Sequence, residues 1–131
     1  MKKEKVVCII PARYDSERLK GKVLYPINGK SILERVYNRA KLVKSFSAIY
    51  IATDHKKIVE AAEKFGAKTI MTYGRCNCGS DRVAEAARKI DADIVVNIQA
   101  DEPYMPVAAV EEPLKLLLED KRLYVTTSVT K

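Results

Sequence analysis

The sequence predicts an α/β fold built on a mostly parallel sheet, and three observations carry that prediction. Short apolar runs rich in β-branched residues recur along the chain. The stretches between them have helical periodicity, and strands alternating with helices mean βαβ units. The 131 residues, 47% of them hydrophobic and 31% charged, are ordinary globular usage on the scale of one domain with a real core.

The elements follow in chain order. Lys5 to Ile10 is a continuous apolar run ended by Pro11, as expected of a strand buried on both faces. Pro11 to Lys22 is polar and aperiodic, a long loop of the kind that often carries function. Asn28-Gly29 is a turn signal. Ser31-Ile-Leu-Glu34 reads as a capping box, and Ile32, Leu33, Val36, Ala40 and Val43 then share one helical face. Ser47 to Thr53 is a second strand, after which Asp54 is expected to cap a helix that runs to Phe65 and stops at Gly66. Lys68 to Thr72 is a third strand, and Tyr73 to Gly79 a loop. Ser80 or Asp81 opens a helix through Val83, Ala84, Ala87 and Ile90. Asp93 to Ile98 reads as the clearest buried strand, and Gln99 to Pro106 as a polar loop. Val107 to about Asp120 is helical, with Pro113 demanding a kink or restart. Leu123 to Val129 is a fifth strand.

Composition removes several classes of function. No run of about 18 apolar residues exists, and the apolar stretch after the N-terminal lysines is too short for a signal peptide, so the cytoplasm is the expected location and no membrane partner is foreseen. The net charge of +7 is concentrated: the first 22 residues hold seven Lys/Arg against three Asp/Glu, whereas positions 101–131 hold four against six. A basic beginning and an acidic end point to a local anion site more than to a nucleic-acid surface, and no nucleic-acid-binding motif is present. Three cysteines in such a chain read as thiols, not a disulfide framework.

In a parallel sheet, ligands bind outside the carboxyl ends of the strands. The first such end carries Arg13, Arg18, Lys20 and Lys22, four cations that repel one another unless an anion is present. Arg forks and a Lys point charge suit polyphosphate oxygens; a solvated charged loop is the equal alternative. Neither a Gly-x-Gly-x-x-Gly nor a Gly-x-x-x-x-Gly-Lys-Ser/Thr pattern occurs, which argues against a dinucleotide dehydrogenase and a P-loop enzyme. At another strand end, Asp101 stands where a carboxylate can hold a hard cation such as Mg²⁺. From spacing alone, a simple turn before Pro103 is the stronger reading.

Taken together, these segments resemble a known family. Ile10-Pro-Ala-Arg13 and Ser16-Glu-Arg18-Leu-Lys-Gly-Lys22 are similar to the N-terminal signature of the 3-deoxy-manno-octulosonate cytidylyltransferases, or CMP-Kdo synthetases. Ile27-Asn-Gly-Lys30, Ala52-Thr-Asp-His55, Met71-Thr72, Gly79-Ser-Asp-Arg82 and Val96-Asn-Ile-Gln-Ala-Asp-Glu-Pro103 continue the resemblance in order along almost the whole chain. The resemblance implies a three-layer, Rossmann-like sheet of the nucleotide-diphospho-sugar transferase type, truncated to the nucleotide-binding half over residues 1–131. It further implies that CTP and the acidic sugar Kdo give CMP-Kdo and pyrophosphate for lipopolysaccharide biosynthesis, with Mg²⁺ as cofactor and a homodimer in the full-length form.

By the same resemblance Pro11, Ala12 and Arg13 line the nucleotide pocket, and Arg18 and Lys22 contact the triphosphate. Gly79, Ser80 and Arg82 sit near cytosine and ribose, Gln99 faces the substrates, and Asp101 binds the metal. Arg13, Lys22 and Asp101 are the expected catalytic set. Two alternatives stand beside this: a nucleotide-binding module without turnover, and cytidylyl transfer to a different acidic sugar.

The chain departs from the family pattern with Lys20 for Pro, Ala100 for Gly, and Cys76 and Cys78 for the usual His and Ser. It is also shorter than the family norm, and a sheet stopped near Val129 is expected to leave apolar surface that favours association or instability. Cys76-x-Cys78 lacks structural-zinc spacing, and Cys8 is expected to pack in the core. His55 is expected in a capping or surface role. The seven tyrosines show no stacking pattern and are expected mostly at the edges of the core.

Overall fold

The computed structural model describes residues 5–14, 21–73, 79–100, 104 and 106–119. Four parallel strands form the main sheet: β1 (Val6–Pro11), β4 (Ala48–Thr53), β5 (Lys68–Met71) and β6 (Ile94–Asn97), in the order β5-β4-β1-β6. A small antiparallel pair, β2 (Pro26–Ile27) and β3 (Lys30–Ser31), precedes helix α1 (Ile32–Ala40). The remaining helices are α2 (Lys56–Lys64), α3 (Gly79–Ala87) and α4 (Ala108–Glu119). The expected strand Leu123–Val129 lies outside the described residues.

The period of two in β1 divides the core. Cys8 and Ile10 pack on Leu33, Val36 and Ala40 of α1 and on Ile58 and Ala62 of α2. Val7 and Ile9 face the opposite way, onto Val83 and Ala86 of α3. The result is three layers, helix–sheet–helix. Helices fall on opposite faces because the chain first moves outward from β1 to β5, then returns past β1 to β6 with connections of one hand.

Local chemistry sets the element ends. Ser31 Oγ accepts the Glu34 N–H at 3.0 Å, the expected cap of α1. At the end of α2, Gly66 (φ 79°) donates to Glu63 O at 3.1 Å and Ala67 to Ala62 O at 2.9 Å, a Schellman closure. Asn28 (φ 51°) and Gly29 (φ 86°) supply the two left-handed residues that a tight β2–β3 hairpin turn needs. Pro11 is tolerated within β1 because Ala12 supplies the next N–H toward β4, bonding Ala52 O at 2.9 Å, while the missing Pro11 donor faces the side where β6 has already ended.

Four expectations are corrected. Asp54 does not cap α2; His55 does, its Nδ1 accepting the Lys57 N–H at 3.1 Å. The helix expected to open at Ser80 or Asp81 already includes Gly79, and its buried side chains among the described residues are Arg82, Val83 and Ala86. The most buried strand is β1, not the Asp93–Ile98 run: β6 is half-buried because, among the described residues, it pairs only with β1. Finally, α4 does not restart at Pro113, which removes one backbone donor without ending the helix.

Candidate active site

Every parallel strand ends at the same edge of the sheet. There the chain leaves β1 through Ala12 and Arg13, β4 through Asp54, β5 through Thr72 and Tyr73, and the β6 run through Ile98 and Gln99. Ladder bonds continue past the strands, from Thr72 N to Thr53 O at 2.9 Å and from Ile98 N to Ile9 O at 3.2 Å, so these exits are held in register. Successive strands run to opposite sides of β1, making its carboxyl end the topological switch point where such sheets open a crevice.

Most of the sequence-predicted site residues converge on this edge. Pro11 and Ala12 are buried at the end of β1, and Arg13 emerges into solvent directly after them. Lys22 is exposed in a single 3₁₀ turn, Lys22–Leu24, that follows left-handed Gly21. Gly79 and Ser80 open α3, whose first-turn N–H groups have no intrahelical acceptor and favour negative charge. Gln99 is exposed at the end of the β6 run. Arg18 and Asp101 lie outside the described residues, as do Lys20, Cys76 and Cys78.

Arg82 is placed differently from an exposed ligand-binding cation. Its side chain is 4% exposed. Nη1 donates to Thr72 Oγ1 at 2.6 Å and stands 3.7 Å from Asp54 Oδ1, while Nε is buried with no partner among the described residues. The guanidinium therefore links the ends of β4 and β5 to α3. Sequence reading missed Thr53, Asp54 and Thr72 as a polar row; the signal was available in two strands that both end in Thr, and both threonines are fully buried.

A second cluster surrounds Tyr14. Its ring stacks on His55 with centroids 4.1 Å apart at 21°, and Lys57 Nζ donates to its hydroxyl at 3.2 Å. The expected scatter of tyrosines is thus corrected for Tyr14. Among the described tyrosines, Tyr25, Tyr73 and Tyr104 are exposed rather than edging the core.

Among the described residues, no group of three or more His, Cys, Asp or Glu side chains is placed to hold a metal ion. The Asp54 carboxylate at this edge carries oxygen donors, which is the chemistry Mg²⁺ takes, whereas the expected metal ligand Asp101 lies outside the described residues. Cys8 offers no thiolate: it is fully buried in β1, and desolvation pushes its thiol far above the usual range. No helix among the described residues is long and apolar enough to cross a membrane.

A family profile described as cytidylyltransferase matches residues 7–131. A 3-deoxy-manno-octulosonate cytidylyltransferase of Francisella philomiragia is 48% identical over 122 residues, covering 91% of this chain and 48% of that protein. An 8-amino-3,8-dideoxy-manno-octulosonate cytidylyltransferase of Shewanella woodyi is 44% identical over 114 residues, covering 85% and 46%. A solved CMP:2-keto-3-deoxy-manno-octonic acid synthetase complexed with CTP superposes with a TM-score of 0.88 at 41% identity, covering 91% of this chain and 49% of that one. The chain spans about half the length of the curated relatives it matches.

Proposed function

The chain belongs to the cytidylyltransferase family, and from that premise we propose that it is the nucleotide-binding half of an enzyme that activates Kdo with CTP. The observation that carries the reading is the convergence of Pro11, Ala12, Arg13, Lys22, Gly79 and Gln99 on the carboxyl edge of one parallel sheet. A nucleotide at the switch point would meet Arg13 and Lys22 with its phosphates. The α3 end at Gly79 and Ser80, stiffened by Arg82, would face its base and ribose.

In the proposed reaction the anomeric hydroxyl of the sugar attacks the α-phosphorus of CTP in line. A sugar–phosphate bond forms, the bond to the β-phosphate breaks, pyrophosphate leaves with its electron pair, and the hydroxyl proton is released. The chain's part is positioning and charge neutralisation: Arg13, Arg18 and Lys22 on phosphoryl oxygens, Gln99 toward the reactants. Asp101 would hold Mg²⁺, which when bound supplies Lewis acidity at the phosphate oxygens. We place the reaction in the cytoplasm, as a step of lipopolysaccharide biosynthesis, with the full-length form a homodimer.

Calorimetric titration tests the nucleotide half of the proposal. CTP with Mg²⁺ should bind in preference to ATP, and Arg13→Ala or Asp101→Ala should abolish that binding; equal affinity for CTP and ATP would sink it. Pyrophosphate release from CTP, Kdo and Mg²⁺ tests the chemistry, and binding without release would select a module without turnover. Relatives of both names at 48% and 44% identity favour a second reading, with the 8-amino sugar as acceptor. Assaying the two sugars side by side decides between them.

A further inference from the structure

We propose that Tyr14, held by His55, is a positioning residue that sets Lys22 beside Arg13 for the phosphate chain of the nucleotide. The inference rests on the reading above that these two cations receive the triphosphate. Arg13 directly precedes Tyr14, and Lys22 directly follows Gly21. The Gly21 N–H donates to Tyr14 O at 2.6 Å, so the backbone is pinned between the two cations although they lie nine positions apart.

The pin requires glycine for two reasons. Gly21 has φ 69°, and a Cβ built there would stand 2.9 Å from Tyr14 Cε2. The ring that fills this space is itself fixed. It stacks on His55, and Lys57 Nζ bonds its hydroxyl and lies 5.1 Å from its centroid. His55 is in turn tied at both ends: its N–H donates to the Oγ1 of buried Thr53 at 3.2 Å, and its Nδ1 caps α2. A continuous run of contacts therefore leads from β4 through His55 and Tyr14 to Gly21 and Lys22.

Two like charges brought together cost energy until an anion arrives. Meeting that cost during folding leaves more of the interaction energy available for binding. Neither Tyr14 nor His55 is required to touch the substrate. Their effect would be confined to the phosphate end of the ligand, and this separates positioning from a general structural role.

The test compares CTP with cytidine, both titrated calorimetrically into the 131-residue chain with Mg²⁺ present. Gly21→Ala and Tyr14→Ala should each weaken CTP about tenfold while leaving cytidine unchanged, and Tyr14→Phe, which keeps the stacked ring, should stay within about twofold of the parent. Should Tyr14→Ala fail to fold, His55→Asn decides: asparagine retains a capping acceptor but removes the ring, and should also lower the CTP-to-cytidine ratio. An unchanged ratio in folded Gly21→Ala and His55→Asn, or equal losses for both ligands, overturns the proposal. A parent chain that binds CTP no better than cytidine overturns the triphosphate reading itself, and this inference with it.

Discussion

Arg82 brings its guanidinium into the interior, and its partners among the described residues are one hydroxyl and one carboxylate that is itself half exposed. Removing it would take away the Arg82 donor from the Thr72 hydroxyl in a fully buried position. Arg82→Ala should therefore lower unfolding stability by about 2 kcal/mol in urea denaturation, less than for a fully buried pair because the Asp54 carboxylate is half exposed. Cys8 provides a second residue-level test, through pH. Its thiol is raised by burial, so above about pH 9 the unfolded chain loses a proton that the folded chain keeps. Stability from this group is complete below that range and declines above it, by about 1.4 kcal/mol per pH unit for one proton. Cys8→Ala should show a shallower alkaline decline in a pH series of urea midpoints, and parallel slopes would contradict the assignment.

Element ends are where local sequence and tertiary contact compete most openly. The Ser31 cap was readable because side chain, acceptor and helix start lie within four residues. Ser31→Ala should cost about 1 kcal/mol, and thermal or urea unfolding measures it. The cap of α2 was misread for a physical reason. Asp54 is a good capping residue, but its carboxylate lies toward Arg82, from an element 28 positions later. His55, one residue on, takes the Lys57 N–H instead. Gly66, with its left-handed backbone, completes the same helix, and Gly66→Ala should cost about 1 kcal/mol by the same assay. The hairpin of β2 and β3 is gripped from α1, where Arg35 Nε donates to Ile27 O at 2.9 Å and Nη2 to Asn28 O at 3.2 Å. That contact joins the residues just after Lys22 to the helical layer.

For the molecule as a whole, the sheet order sets what each strand experiences. Lying between β4 and β6, β1 is buried on both faces, and its alternate side chains supply both halves of the core. Ile9→Ala and Leu33→Ala probe the two faces separately, and each should cost about 3 kcal/mol because both side chains are fully buried. A loss in only one of them would show that the faces are not equally packed. The same order gathers the strand exits at one edge, which is why residues scattered between positions 11 and 99 form a single candidate site.

The sequence by itself determined the alternation of the main-sheet strands β1, β4, β5 and β6 with the helices, the Ser31 and Gly66 ends, the Asn28-Gly29 turn, and the segments that carry the family signature. All of these are encoded within a few neighbouring residues, as periodicity, caps and backbone preference. Only the tertiary structure decided that Arg82 turns inward to Thr72 and Asp54, that β6 is half-buried, and that Tyr14 stacks on His55. Those contacts join residues 10 to 41 positions apart, or depend on which strand lies beside which. They are consequences of register in the parallel sheet, a property of paired strands that no single segment contains.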